Sequence, residues 1–200
     1  MKCTLSFFDS HEGLKRLFLL LLLCVAAVSA GAQTPVTSLS QITSANGNYV
    51  LAADIDASSF GGFSFTDFTG TLDGGYHTIS GLTVPLFNNL NGATVKNLRL
   101  DNVSINRTGA DADAGAVCIA ATGNTKVYNC GVLASTASTV QGTRDVGGLV
   151  GRIRRTGSNV RVVNCYSYAT VVGGTYAAGI VGNNRGTSAA PRRSMPTACA

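Results

Sequence analysis

The chain has 200 residues, of which only 12% are charged and 24 are glycine, with no tryptophan and a formal net charge of +5. Glycine at that level with low charge suits tight, repeated turns better than a helical bundle, and the β-branched content argues against disorder. Most of the positive charge is terminal: residues 1–32 hold three cations against two acids, residues 186–200 hold two arginines, and +2 remains between them. A nucleic-acid-binding protein needs a basic stripe on its folded part, and the run Arg152-Ile153-Arg154-Arg155 reads as a solvated loop, so no nucleic-acid partner is expected.

In chain order, Lys15-Arg16 precede an apolar run of about twelve residues, and Val28-Ser29-Ala30 with Ala30-Gly31-Ala32 supply small residues at a cleavage site. This is the pattern of a secretory signal peptide over residues 1–32. The run is too short for a stable transmembrane span, so a secreted or cell-surface location is expected. Residues 33–48 are polar, but Leu39 and Ile42 are three apart and fit one helical turn. They are expected to form an N-terminal cap or linker that covers open strand backbone.

Residues 49–184 carry the fold. Tyr49-Val50-Leu51 opens the first strand, and Asp54-Ile55-Asp56 follows. Phe60, Phe63, Phe65 and Phe68 sit among Ser and Gly and read as core filling rather than an exposed ligand platform. Leu72, Ile79, Leu82 and Val84 are inward candidates around the turn Asp73-Gly74-Gly75. From Val95 onward a repeat emerges. Val95-Lys96-Asn97-Leu98, Val127-Tyr128-Asn129-Cys130 and Val162-Val163-Asn164-Cys165 echo one another, with the Asn residues spaced by 32 and 35. Gly115, Gly148 and Gly179 are spaced by 33 and 31, and Gly147-Gly148-Leu149-Val150-Gly151 is echoed by Ala178-Gly179-Ile180-Val181-Gly182. A period in the low thirties marks a repeat architecture.

The runs are short, rich in Val, Thr, Ile and Tyr, and bounded by Gly and Asn, which is strand chemistry. The expected fold is therefore all-β: a right-handed parallel β-helix of about four to five coils, with three strands in each unit and like residues stacked in ladders. Asn97, Asn129 and Asn164 are structural in this reading, because Asn tolerates left-handed turns and stacked amides bond to one another. Cys130 and Cys165 fall at one repeat position and are read as neighbours in a ladder of small buried side chains. A disulfide between them is the less favoured alternative. Residues 185–200 contain two Pro and no strand alternation, so they read as an irregular tail, either non-native or marking truncation of a longer repeat protein with further repeats missing.

Two elements carry a family resemblance. Gly70 to Ile79, preceded by Tyr49 to Asp56, resembles the entry coils of pectin-lyase-like right-handed β-helices. Gly147 to Gly151 and Ala178 to Gly182 resemble the GLUG motif, with Cys118 standing where Gly151 and Gly182 stand in the less regular element Ala114–Cys118. That motif is found in bacterial surface and adhesin-like proteins and beside some immunoglobulin-A-cleaving metalloproteases. The resemblance implies an exported repeat domain.

Because pectin-lyase-like folds also host enzymes, the residues must be weighed for chemistry. Asp54/Asp56 and Asp111/Asp113 are the close acid pairs, each a candidate dyad or calcium site, but both read as structural. His77 lies beside the Asp73 turn and is expected to bond locally. Neither a metal nor another cofactor is expected. Tyr166 and Tyr168 share a strand face, which leaves glycan or host-protein binding open. The sequence thus points to an exported cell-surface adhesion or scaffold module without catalysis of its own. The alternative is the N-terminal fragment of a polysaccharide lyase or glycoside hydrolase.

Overall fold

The computed structural model describes residues 32–135, 137–154 and 159–185. The expected signal peptide up to residue 31, Arg155 and the tail beyond Arg185 lie outside the described residues. All strand pairings among the described residues are parallel, so the chain climbs as a β-solenoid rather than folding into hairpins.

Strand β1 (Thr34–Val36) precedes the first coil and pairs with β2 (Asn48–Leu51), placing Thr34 beside Tyr49. The polar composition of residues 33–48 gave no sign of this strand. Between the two lies a single 3-10 turn, Leu39–Gln41. Ser38 caps it, accepting from Ser40 N, while the Gln41 side chain accepts from Ser38 N at 3.2 Å. Leu39 and Ile42 are both buried, so this turn sets two apolar side chains against the first coil.

The first coil consists of β2, β3 (Ile55–Asp56) and β4 (Asp67–Phe68). The second consists of β5 (Thr71–Asp73), β6 (Thr78–Ser80) and β7 (Phe87–Asn91). The third comprises β8 (Thr94–Lys96), β9 (Arg99–Asp101), β10 (Ser104–Asn106) and β11 (Cys118–Thr122). Coil four runs through β12 (Lys126–Tyr128), β13 (Gly131–Val132), β14 (Thr139–Gln141), β15 (Asp145–Gly147) and β16 (Val150–Ile153). Coil five repeats that plan with β17 (Arg161–Val163), β18 (Tyr166–Ser167), β19 (Thr170–Val172), β20 (Tyr176–Ala178) and β21 (Val181–Asn184).

The expectation of three strands in every unit is therefore corrected. Three strands make the first two coils, where Asn48 pairs with Thr71 and Thr71 with Thr94, a step of 23 residues. From Thr94 to Lys126 the step becomes 32, and from Lys126 to Arg161 it is 35. The extra length forms two added sheets, β10-β14-β19 and β15-β20.

Inside, equivalent side chains lie over one another. Leu72, Val95 and Val127 form one column, Ile79, Leu100 and Val132 a second, and Phe68, Leu90 and Ala121 a third, all essentially without solvent exposure. Each fully buried aliphatic or aromatic side chain contributes about 1.5–3 kcal/mol. Leu82 joins this core, whereas Val84 is half-buried. Phe68 and Phe87 stack at 4.6 Å in the interior, and half-buried Phe60, Phe63 and Phe65 continue the aromatic stack outward.

The glycine element is a place where the backbone of one coil closes directly onto the backbone of the coil before it. A Cβ on Gly151 would sit 2.5 Å from Ile119 O and 2.9 Å from Ala114 O, and one on Gly182 would sit 2.5 Å from Val146 N. Only glycine admits such backbone-to-backbone approach. At two places the register also differs by one residue from the alignment that the sequence spacing suggests. Ala114 bridges to Val146, which sets Gly115 beside Gly147 rather than Gly148. Cys118 pairs with Val150, so Ile119 and not Cys118 stands at the level of Gly151.

Candidate functional site

The candidate site lies at the corner between the β5-β8-β12-β17 stack and the β6-β9-β13-β18 stack. Asn97, Asn129 and Asn164 turn the chain there, at φ 52°, 54° and 53°. Their amides form a ladder: Asn129 Nδ2 donates to Asn97 Oδ1 at 3.0 Å, and Asn164 Nδ2 donates to Asn129 Oδ1 at 2.7 Å. Asp73 stands at the foot of this ladder and accepts from Asn97 Nδ2 and Gly75 N, each at 3.0 Å, with Lys96 Nζ 2.9 Å from its other oxygen. Burial pushes the Asp73 carboxyl up, but the Gly75, Lys96 and Asn97 donors together hold it below the usual carboxylate range.

Beside the ladder, Thr78, Arg99, Gly131 and Tyr166 occupy one outward column in register. Gly131 carries no side chain, and the Tyr166 ring lies across it, 2.5 Å from where a Cβ would be. Arg99 rests over the ring of Tyr76 at 5.8 Å, a cation–π contact. Tyr76, Arg99, Asn129, Asn164 and Tyr166 line a shallow groove of about 270 Å³. Tyr168 packs edge-on against Tyr166 at 5.9 Å and extends the aromatic surface. Tyr128 sits in a different column, paired with Lys96 and Val163. Sequence reading found Tyr166 and Tyr168 but missed Tyr76 and Arg99. Their signal was the 23-residue step of the short coils, which a search at one period near thirty passes over.

A second polar cluster is structural. Asp113 is buried and accepts from Arg144 Nε and Nη2 at 2.8 Å each, while Arg144 Nη1 lies 3.0 Å from Asp111. Burial pushes Asp113 up, yet its hydrogen bonds to Arg144 and the nearby Arg152 charge hold it low. Arg152 Nε lies 3.0 Å from Asp113 Oδ2 without being aimed along a hydrogen bond. Asp145, also buried, accepts from Asn183 Nδ2 at 3.1 Å, and its second oxygen has Arg144 and Arg185 at 3.9 Å.

The acid pairs do not come together as dyads. Asp54 accepts from Thr78 N, and Asp56 accepts from Ser58 N, each at 2.9 Å, while Asp111 and Asp113 share Arg144. His77 bonds locally through its backbone, its N donating to Gly74 O at 2.7 Å, while its side-chain Nδ1 lies 3.2 Å from Asp54 Oδ1 on the preceding coil. Cys118, Cys130 and Cys165 are free thiols. Cys130 and Cys165 occupy the same register position, between Tyr128/Val163 and Gly131/Tyr166. Hydrogen bonding between the two sulfurs, with burial, pushes the Cys130 thiol well above its ordinary range. Among the described residues no group of three His, Cys, Asp or Glu side chains could hold a metal ion, and no helix is long and apolar enough to cross a membrane.

Fold and groove together define a parallel β-solenoid module with a lateral cleft of aromatic rings, a guanidinium and primary amides. Comparison with known proteins adds the context. Residues 37–133 match the family described as the N-terminal region of the M26 IgA1-specific metallo-endopeptidase. The chain is 33% identical over 187 residues to an immunoglobulin A1 protease of Streptococcus pneumoniae, covering 82% of this chain and 9% of that protein. It is 35% identical over 156 residues to the immunoglobulin A1 protease of Streptococcus sanguinis, covering 66% of this chain and 8% of that one. Halomucin of Haloquadratum walsbyi is 39% identical over 134 residues, 54% of this chain and 1% of halomucin. No solved structure matches. The chain thus spans less than a tenth of the length of the proteases it resembles.

These matches overturn the expected function. The family match and the streptococcal relatives are immunoglobulin A1 proteases, so an adhesion or scaffold module without catalysis, with a polysaccharide-degrading enzyme as its alternative, is the wrong reading. The physical reason is that this stretch consists of solenoid coils, whose residues are chosen for stacking. No protease motif stands among them to be read.

Proposed function

We propose that this chain is the N-terminal solenoid of a longer, exported metallo-endopeptidase of the immunoglobulin A1 protease type, and that it holds the protein substrate for that enzyme. The observation that carries the reading is the 33% identity to such a protease over 82% of the chain, together with a family match over residues 37–133, from the turn before the first coil into the fourth. An immunoglobulin substrate is extracellular, which agrees with the export signal read over residues 1–32. A rigid column of stacked coils offers a long side face whose groups are fixed by the ladder beneath them. That is what a substrate-holding surface requires if binding is not to be weakened by ordering costs.

The test uses the full-length protein that carries this chain, incubated with immunoglobulin A1 and, separately, immunoglobulin G. Cleavage of the A1 heavy chain, abolished by a metal chelator, is the expected result. Deleting residues 32–185 should raise KM for the intact immunoglobulin while leaving cleavage of a short peptide unchanged. An intact A1 heavy chain under conditions in which the pneumococcal relative cleaves to completion would overturn the proposal.

A further inference from the structure

We propose that the groove formed by Tyr76, Arg99, Asn129, Asn164 and Tyr166 is a binding site for an acidic sugar residue. This goes beyond the protease reading and does not depend on it. Arg99 supplies the charge of this groove. Its guanidinium is exposed, and among the described residues no carboxylate lies within ion-pair distance of it. The carboxylate whose charge it influences, Asp54, is already engaged by His77 and Thr78. The cation–π contact with Tyr76 at 5.8 Å engages the charge of the guanidinium without a hydrogen bond, and a guanidinium fork receives a carboxylate in two parallel bonds.

The walls and floor narrow the choice of anion. Tyr76 is 57% exposed and Tyr166 is 41% exposed, so both rings offer faces to solvent rather than to the core. Such faces accept the C–H surface of a pyranose ring. The floor is two primary amides, each using one N–H in the ladder. Each Nδ2 has a second N–H, and Asn164 Oδ1 ends the ladder among the described residues. Adjacent donors and an acceptor match the vicinal hydroxyls of a sugar. A volume of about 270 Å³ accommodates one such residue with part of a neighbour. A simple inorganic anion would leave the rings unused, and a neutral sugar would leave Arg99 unused. Gly131 is the enabling residue, because any side chain there would displace the Tyr166 ring.

The purified full chain is titrated by calorimetry or saturation-transfer NMR with 3′-sialyllactose, trigalacturonate, lactose and hexaglutamate. The two acidic saccharides distinguish a sialic acid from a uronate as the residue held. At least one is expected to bind with a Kd about tenfold or more below that of lactose, the contribution of a charge-assisted fork. Arg99→Met should erase that preference, Tyr166→Leu should weaken every saccharide, and Arg161→Met, on the exposed face of the neighbouring stack, should change nothing. Circular dichroism of each variant separates loss of binding from loss of fold. Equal binding of lactose, an unchanged preference in Arg99→Met, or hexaglutamate binding as tightly as the acidic saccharides would each overturn the assignment. So would the absence of saccharide binding up to about 10 mM.

Discussion

Alanine substituted at Gly151 and at Gly179 should move stability in opposite directions, although the two residues belong to the same repeated element. At Gly151 the new methyl group would lie 2.5 Å from Ile119 O and 2.9 Å from Ala114 O. Both atoms are backbone of the coil below and cannot rotate away. To reach even a 3.0 Å contact the coils must part by about half an ångström, and overpacking of this kind costs about 1–3 kcal/mol. Replacing glycine also restricts the unfolded chain, which returns about 0.4–1 kcal/mol. The net loss for Gly151→Ala is about 1–2 kcal/mol, or a Tm lower by roughly 2–8 °C for a domain of this size. At Gly179 a Cβ meets nothing within 4 Å, and the backbone is outside the left-handed region. Only the unfolded-state term remains, so Gly179→Ala should raise Tm by roughly 1–4 °C. Thermal melts followed by far-ultraviolet circular dichroism measure both. Shifts of the same sign would show that close approach of the coils is not what selects glycine here.

The Asn ladder and the Arg144 cluster make further predictions. Asn129→Ala removes one donated and one accepted bond and forces a left-handed alanine, a loss of about 2–4 kcal/mol. A double-mutant cycle with Asn164→Ala should show coupling of at least about 0.5 kcal/mol by denaturant titration, and strict additivity would remove the ladder from the account. Arg144→Met should cost about 2–3 kcal/mol at neutral pH, at the low end for a broken buried pair because Arg144 keeps some solvent contact. The sign with pH follows from Asp113. Its lowered native pKa gives the wild type stability that is present above the unfolded carboxylate pKa of about 3.9 and lost as pH falls through the native value. Without Arg144 that carboxyl is left more nearly alone in a buried site, so the penalty should shrink on acidification toward pH 3. Urea titrations at several pH values test this, and a pH-independent penalty would contradict it.

How much was legible in the sequence is clearest at two residues of the groove. Asn164 announced itself, since it closes a strand at the same place as Asn129 and Asn97, and a stacked fold is a natural reason for such recurrence. Arg99 did not. It repeats nothing, because Gly131 and Tyr166 follow it in the column, and its neighbour Tyr76 belongs to a coil of different length. A column can hold unlike residues when their side chains face solvent, since no shared packing constraint acts on them. The error in function has a related origin: coils are selected for stacking, and this stretch holds less than a tenth of the length of the proteases it resembles.

The amino-acid pattern alone determined that the chain would form short strands stacked in parallel coils, because apolar alternation and asparagine turns are local properties that must repeat if each coil is to cover the last. Tertiary structure alone decided the change from 23-residue to longer coils, the one-residue shift that pairs Gly115 with Gly147, and the meeting of Tyr76 and Arg99 with Tyr166. These depend on register between segments more than twenty residues apart. Register is settled by the summed packing and hydrogen bonding of whole coils, which no single stretch of sequence contains.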